Sequence, residues 1–411
     1  MKIITWFIAV VAVLMMILCV SQQVFAEDTA EQHLQKGNKL AEQMKYEEAI
    51  AEYSEALKLE PKSVPVLLKR GLAYINAGKT ELALADFDKA IALNPKTGEA
   101  YVRRAIIFLV SHRIDEAFQE VNKALDVEPG LPFAYSTRGM LYQAKGDYEH
   151  AIEDCNQAIK LAPNDDSLYG VRAAIYSIQN KNELALADFN KAIELNPKGA
   201  GYLQRGLFQL NIGNNVLALA DLQKALTFDS YHTAQIKEAI EKAQSKIAAD
   251  KEIAASTAII NRKPKDAKAL NNRASAYVDR GEYDRAIVDY SSALLVEPRN
   301  GTIYYNRALA YTQLTKYDEA IADFTQAIAL NPKDADSYAM RGNIYIAKSS
   351  FDLALQDLTK AIELEPENAK NYFDRGVVYM KRWDSESANK DFDKAVKLDP
   401  SLADEVKGSR L

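Results

Sequence analysis

Proline recurs every 34 residues along most of this chain. One series runs from Pro61 to Pro197 and a second from Pro264 to Pro400, and the gap between them is one residue short of two periods. The full set is Pro61, Pro95, Pro129, Pro163, Pro197, Pro264, Pro298, Pro332, Pro366 and Pro400. A fixed period of this length indicates stacked copies of one small helical or strand-containing unit.

Other residue types keep the same phase when the proline is numbered position 32 and unit 1 begins at residue 30. In ten units position 8 is glycine or alanine, positions 20 and 27 are alanine, position 11 is mostly tyrosine and position 24 is usually large. Positions 4, 8 and 11 share one helical stripe, and positions 20, 24 and 27 share another. The pattern predicts two antiparallel helices per unit, which approach closely through the small residues. Glycine at position 15 and the proline predict where the first and second helices end.

These columns resemble the tetratricopeptide repeat, a 34-residue helix-turn-helix unit. Tyrosine at position 4 stands where that family often has tryptophan, and arginine at position 7 where it often has leucine. The resemblance covers residues 30 to about 400. It implies an all-α fold, a right-handed α-solenoid of helix-turn-helix repeats that follows an N-terminal signal segment. We expect repeats 1 to 6 in residues 30–230, repeats 8 to 11 in residues 267–402, and a short C-terminal cap in residues 403–411.

The unit between these two sets, residues 231–266, matches the repeat only in length. It lacks the small residue at position 8 and the glycine at mid-unit, but Ile236, Ile240, Ala243 and Ile247 still form a helical stripe. Two interpretations are open: a degenerate repeat, or one longer helix that joins six units to four. Whether the segment is a hinge or a buried spacer that has drifted in sequence is open as well.

The N-terminus predicts export. Lys2 precedes an apolar run, residues 3–20, and the small residues Val24 and Ala26 fit cleavage of a signal peptide after residue 26. The alternative is an uncleaved membrane anchor formed by residues 3–20. Both place the rest of the chain outside the bacterial cytoplasm, in the periplasm or extracellular space, or tethered to the inner membrane.

The sequence favours a protein without catalytic chemistry. Once residues 1–26 are removed, the repeats leave only residues 27–29 and 403–411 outside them. Four histidines are scattered without ligand spacing, and no phosphate-binding loop occurs. Cys155 falls in the position-24 column and is interpreted as a core residue. The charges are interspersed and sum to −6, which argues against nucleic acid as a partner. We therefore predict no enzyme activity, cofactor or metal, although a regulator of an enzyme remains an open interpretation.

A basic residue at position 7 and an acidic residue at position 23 occur together in ten units, and we interpret them as structural ion pairs between packed helices. The alternative is a row of arginines that binds a ligand. The pairs are Lys36 with Glu52, Arg70 with Asp86, Arg104 with Glu120, Arg138 with Asp154, Arg172 with Asp188, Arg205 with Asp221, Arg273 with Asp289, Arg307 with Asp323, Arg341 with Asp357 and Arg375 with Asp391.

The resemblance implies a concave groove lined by first helices, at positions 2, 5, 9, 12 and 13, that holds a peptide or a partner protein. The candidate groove residues are Leu68, Leu72, Ile75, Val102, Ile106, Leu109, Phe133, Met140, Leu203, Leu207, Tyr305 and Asn343. Whether several of them instead pack between adjacent first helices is open. Asn271, Asn306, Asp336 and Met340 stand where the family's clamp for a peptide carboxylate needs polar and basic contacts, so we expect no binding of that type. The alternative function is an envelope-anchored structural or assembly subunit.

Overall fold

The computed structural model describes residues 29–229 and 232–409. Within those ranges every regular element is helical, as the sequence predicts. The predicted signal segment, residues 1–26, lies outside the described residues. The described residues divide into two compact units, residues 29–208 with 221–229 and 232–233, and residues 209–220 with 234–409.

Ten helices belong entirely to the described part of the first unit, and they pair as five helix-turn-helix repeats. They are α1 (Ala30–Glu42), α2 (Tyr46–Leu59), α3 (Val64–Asn76), α4 (Thr80–Leu93), α5 (Gly98–Val110), α6 (Ile114–Val127), α7 (Pro132–Ala144), α8 (Tyr148–Leu161), α9 (Asp166–Ile178) and α10 (Asn182–Leu195). Repeat 6 consists of α11 (Gly201–Asn211) and α12 (Asn215–Leu226), which both span the division between the units.

The second unit holds the long helix α13 except for Thr233, four helix pairs and the short helix α22. The helices are α13 (Thr233–Arg262), α14 (Ala267–Asp279), α15 (Tyr283–Val296), α16 (Gly301–Gln313), α17 (Tyr317–Leu330), α18 (Ala335–Ala347), α19 (Phe351–Leu364), α20 (Ala369–Lys381), α21 (Ser385–Leu398) and α22 (Ala403–Ser409). A 3₁₀ turn, Pro400–Leu402, precedes α22. Val406 of α22 is buried against Phe373 and Phe392, so this short helix covers apolar surface of the last repeat.

Each repeat closes around a small residue that faces a large one. A Cβ added at Gly71 would lie 2.5 Å from the ring of Phe87, and one added at Gly376 would lie 2.7 Å from the ring of Phe392. The alanines at positions 20 and 27 of all ten repeats are at most 3% exposed. The close approach of paired helices predicted from these columns is therefore confirmed, and it depends on the missing side chain at position 8.

The turn between the helices of a repeat needs a left-handed residue at position 15. Gly281 has a φ of 79°, and Gly78, Gly146 and Gly213 are also left-handed, as predicted. In the other six repeats a residue with a side chain adopts this conformation, including the β-branched Thr315 at a φ of 55°. The backbone geometry is thus common to all ten repeats, whereas the residue that favours it is present in only four.

Helix α13 replaces the helix-turn-helix expected of a degenerate repeat. It is a single helix of 30 residues, with no turn near Ile247, which stands at position 15. Ile236, Ala239 and Ala243 are buried along one face of its first half, and Ala249 is buried on another side of the helix. Of the two interpretations of residues 231–266, the structure has the one longer helix.

Candidate functional site

The twelve predicted groove residues all lie on first helices, namely α3, α5, α7, α11, α16 and α18. Val102 and Leu203 are buried, at 0% and 6% exposure, and the other ten are half-buried. A buried side chain has no free surface for a ligand. The half-buried residues remain the candidates for a binding face.

Several apolar candidates pack between neighbouring repeats. Leu68 and Ile75 contact the cluster formed by Ala83, Phe87 and Ile107. Ile106, Leu109 and Phe133 contact the cluster around Val102, Phe108 and Leu141, which spans repeats 3 and 4. The guanidinium of Arg103 lies 4.6 Å from the centroid of the Phe133 ring and covers it. Part of the predicted groove lining therefore serves to stack first helices.

The two polar candidates, Asn343 and Tyr305, differ in the contacts that their side chains make. The amide nitrogen of Asn343 donates to a carboxylate oxygen of Asp374 at 3.0 Å, and Lys370 pairs with the other oxygen of that carboxylate at 3.0 Å. The ring of Tyr305 packs edge-on against Phe324, with 5.6 Å between the centroids, and lines an open recess. Asn343 links repeats 10 and 11, and Tyr305 is available to a ligand.

A recess with a volume of about 330 Å³ lies beside Tyr305. It is lined by Arg299, Thr302, Tyr305, Leu330, Asp334 and Asp336, among others. Burial raises the pKa of Tyr305, and the nearby carboxylates of Asp336 and Asp334 raise it further. Burial, followed by Glu365 and Asp334, raises the pKa of Asp336. Negative charge is therefore concentrated here, and the recess favours a cation.

The sequence predicts Tyr305 in the groove and argues against a carboxylate clamp at Asp336. It does not predict Arg299 and Asp334 as residues of the site. Both lie in connections between helices, after the prolines at 298 and 332. The repeat pattern could have predicted these two residues, because the connections that contain them adjoin position 2 of the next first helix. Loop residues just before a groove position are thus part of the site.

The position-7 arginines are held by carboxylates of their own repeat. In eight repeats Nε and Nη2 of the arginine donate to the two oxygens of the position-23 aspartate, as in Arg341 with Asp357 at 2.7 and 2.8 Å. Nη1 donates to a polar residue of the preceding second helix, as from Arg341 to Thr325 at 2.8 Å. The other bidentate arginines are Arg70, Arg138, Arg172, Arg205, Arg273, Arg307 and Arg375.

Two repeats depart from this arrangement. Arg104 lies 3.5 Å from the carboxylate of Glu120 and 3.1 Å from that of Asp88. In repeat 1 the ring nitrogen Nδ1 of His33 lies 2.6 Å from the carboxylate of Glu52. The arginines are thus ion-paired across packed helices, which is the structural interpretation of the column.

The described residues hold no group of three or more histidine, cysteine, aspartate or glutamate side chains placed to bind a metal ion. Cys155 is a free, buried thiol, and burial raises its pKa to about 12. A thiol in this state is a poor nucleophile. Across the described helices, none combines the length and the apolar character that crossing a bilayer requires.

Family models described as tetratricopeptide repeat or TPR repeat match seven segments, which together span more than half of the chain. The segments are residues 37–78, 68–132, 132–165, 166–198, 274–315, 302–334 and 342–382. No curated protein sequence matches the chain.

Several solved structures are similar in fold. YrrB, a TPR protein with an unusual peptide-binding site, is 22% identical over 54% of this chain and 98% of its own, with a TM-score of 0.34. TTC0263, a thermophilic TPR protein in Thermus thermophilus, is 21% identical over 44% and 98%, with a TM-score of 0.41. MamA from Desulfovibrio magneticus RS-1 is 19% identical over 50% and 97%, with a TM-score of 0.33.

Proposed function

Because the chain belongs to the tetratricopeptide repeat family, we propose that it is an exported, non-enzymatic scaffold whose first helices bind a peptide or a partner protein. Arrays of this family present surfaces for protein–protein interaction, and that general role follows from membership. The proposal adds two statements to this general role: the protein is exported, and its first helices form the binding face.

The proposal that the first helices form a binding face rests on the recess beside Tyr305. Its lining includes the carboxylates of Asp334 and Asp336 and the single guanidinium of Arg299, so the local charge is negative. The raised pKa of Tyr305 and that of Asp336 reflect burial together with this charge. We infer that the recess takes a lysine or arginine side chain of the bound segment, since a cation would relieve the repulsion between the carboxylates.

A pair of fluorescent peptides tests this. Both have the same extended sequence, with a central lysine in one and a central glutamine in the other. Binding is measured by anisotropy. We expect the lysine peptide to bind more tightly to the unaltered protein, and Asp336→Asn to weaken it about tenfold, the usual effect of losing one charge-assisted hydrogen bond.

The matched control is Asp126→Asn, which removes an exposed carboxylate at the end of α6 and leaves the recess unchanged. Equal binding of the two peptides, or equal loss of affinity in the two variants, would rule out the recess as a cation site.

The proposal of export rests on residues 1–26. N-terminal sequencing of the protein recovered from the cell envelope tests it, and a mature start at Glu27 supports a soluble exported scaffold. Retention of residues 3–20 would favour the anchored structural or assembly subunit instead. Recovery of the whole chain from the cytoplasm would overturn both.

A further inference from the structure

Helix α15 exposes two large apolar side chains on the side opposite its buried residues. Val288 is 63% exposed and Leu295 is 87% exposed, whereas Ala286, Tyr290 and Ala293 are buried. The exposed pair is seven residues apart, so both side chains lie on one helical stripe, about 10 Å from each other. They hold positions 22 and 29, where the other nine repeats have alanine, a polar residue or a charged residue. The pair is therefore particular to repeat 8.

The surface around this pair continues without charge onto the next second helix, α17. There positions 22 and 29 are alanines, and both are exposed. Charge returns on α19, where Lys360 and Glu363 form an exposed ion pair at 2.9 Å. We call the uncharged surface the outer patch, and it consists of Val288, Ser292, Leu295, Ala322, Gln326 and Ala329. All of it belongs to the second unit.

Polar groups in and beside the outer patch are bonded within the chain. The hydroxyl of Ser292 donates to the carbonyl oxygen of Val288 at 2.9 Å, inside α15. Arg307, which lies between α15 and α17, is neutralised by its bidentate ion pair with Asp323. A protein surface that covers the patch breaks none of these bonds, and it removes the apolar pair from water, which is favourable.

Each of the two helices begins with an acidic residue and is followed by a basic one. Position 18 is Asp284 on α15 and Asp318 on α17, and these side chains are 78% and 84% exposed. Each aspartate pairs through Oδ1 with a lysine of the following repeat, which leaves Oδ2 for a further partner. Position 33, in the connection after each helix, is Arg299 or Lys333, and both are exposed. Neither of these two cations has an ion pair within residues 29–229 and 232–409.

We propose that the outer patch binds the outer patch of a second copy of the chain, with α15 antiparallel to its counterpart. The two-fold axis passes positions 25 and 26, where Ser291 and Ser292 let the two helices approach closely. This axis sets position 22 of each copy against position 29 of the other. Val288 then covers Leu295 of the second copy, and the symmetry repeats this contact, so that both exposed apolar side chains of each chain are buried.

The same axis also matches the charges. It sets position 18 of each copy against position 33 of the other, so Asp284 meets Arg299 and Asp318 meets Lys333. A parallel arrangement would instead set aspartate against aspartate. An isologous dimer requires a surface that is complementary to itself, and this surface is so in both its apolar groups and its charges. A second copy is therefore the occupant that the outer patch fits.

Repeat 10 limits the contact to repeats 8 and 9. There the same axis would set Asp352 at position 18 against Glu367 at position 33, and these like charges repel. The interface therefore consists of two second helices from each copy. An interface of this size is small for a stable dimer, and we expect a dissociation constant of about 1–100 µM.

Sedimentation velocity of the full chain, purified as the cell processes it, tests the dimer. The concentrations run from about 1 to 200 µM, which brackets the expected constant. We expect the mass to rise from that of a monomer toward that of a dimer. Leu295→Asp places a carboxylate in the apolar centre and should weaken the dimer at least about tenfold. Val110→Asp is the matched control and should change nothing, because Val110 is 75% exposed, ends α5 and lies outside the patch.

A charge reversal tests the antiparallel register. Asp318→Lys and Lys333→Asp should each weaken the dimer about threefold or more, and the double variant should restore it. Within one chain the two residues stand at opposite ends of α17, about 20 Å apart, which exceeds the screening length of about 8 Å at physiological salt. The rescue therefore needs a second copy. Neither residue lines the recess beside Tyr305, so this test is separate from that of the cation site.

The proposal is overturned if the chain sediments as a monomer at every concentration, because no second copy is then bound. Equal dimerisation of Leu295→Asp and Val110→Asp would overturn it as well, since the dimer would then form elsewhere. A double charge reversal that dimerises no better than the single reversals would contradict the antiparallel register.

Discussion

Arg307 and Asp323 form a bidentate ion pair, in which Nε and Nη2 of the guanidinium donate to the two carboxylate oxygens at 2.7 and 2.8 Å. Nη1 donates to the hydroxyl of Ser291 at 2.8 Å. One arginine therefore joins three helices: α16 and α17 of its own repeat and α15 of the preceding repeat. Its side chain is 18% exposed and that of Asp323 is 7% exposed, so the pair is largely shielded from solvent.

Replacing either partner of this pair alone should destabilise the protein, and the two losses of stability should not be additive when both partners are replaced. We expect Arg307→Ala to lower the free energy of unfolding by about 3 kcal/mol, because it leaves the Asp323 carboxylate buried without its partner. The double variant with Asp323→Ala should cost less than the sum of the single variants. Urea denaturation followed by circular dichroism measures the coupling, and a coupling energy of zero would contradict a structural role.

The close contact between Gly376 and Phe392 should make the glycine hard to replace. A Cβ at residue 376 would lie 2.7 Å from the ring, and we expect Gly376→Ala to cost about 1–3 kcal/mol of stability. Gly342→Ala is the matched control, because there the nearest atom is Cγ of Leu358 at 3.0 Å, so a smaller cost is expected. Adding Phe392→Leu to the Gly376→Ala variant should recover part of the loss in thermal unfolding. A failure of that rescue would argue against the ring contact as the cause.

Thr315 should be a site where glycine is stabilising. Its φ is 55°, a conformation that costs a β-branched residue about 1 kcal/mol relative to glycine. Thr315→Gly should therefore raise the free energy of unfolding by about that amount. Gly281→Ala is the reverse control: its φ is 79° and an added Cβ would meet no atom within 4 Å, so only backbone strain acts. Stability shifts of the same sign in the two variants would contradict the strain argument.

Cys155 should be unreactive in the folded protein. Burial raises its pKa to about 12, with Asp154 and Asp188 adding to the effect and Arg172 opposing it. At pH 8, well below that pKa, the thiol stays protonated, whereas in the unfolded chain a substantial fraction ionises. With Cys19 replaced by serine, a chromogenic disulfide reagent should label Cys155 only after urea is added. Rapid labelling of the native protein would show that the thiol is accessible.

The repeat architecture could be predicted because the residues that specify it have few substitutes. Alanine at positions 20 and 27 and glycine or alanine at position 8 are required by helices in contact, and those columns survive in ten units. The course of α13 was less predictable. Helix α13 does not turn at Ile247, although six repeats turn at this position without a glycine, and an interrupted and a continuous helix have the same 3.6-residue periodicity.

The binding face was predicted only in part, for a physical reason. Groove positions and the positions that stack neighbouring first helices share the same helical faces, so sequence alone does not separate the buried Val102 from the half-buried Leu72. The left-handed conformation of Thr315 was missed as well, since nothing in a threonine favours it. The burial of Val102 is set by neighbours that lie about a repeat away, and the conformation of Thr315 is set by the turn geometry common to all repeats.

The third hydrogen bond of each bidentate arginine has a consequence for how the array loses structure. Because Nη1 of Arg341 is bonded to Thr325, melting of repeat 9 would remove an interaction that repeat 10 uses to orient its own ion pair. Each repeat thus helps to order the next one, and the unfolding of one repeat destabilises its neighbour. Such a chain is expected to shorten inward from a frayed end, in steps of more than one repeat, instead of opening at its middle.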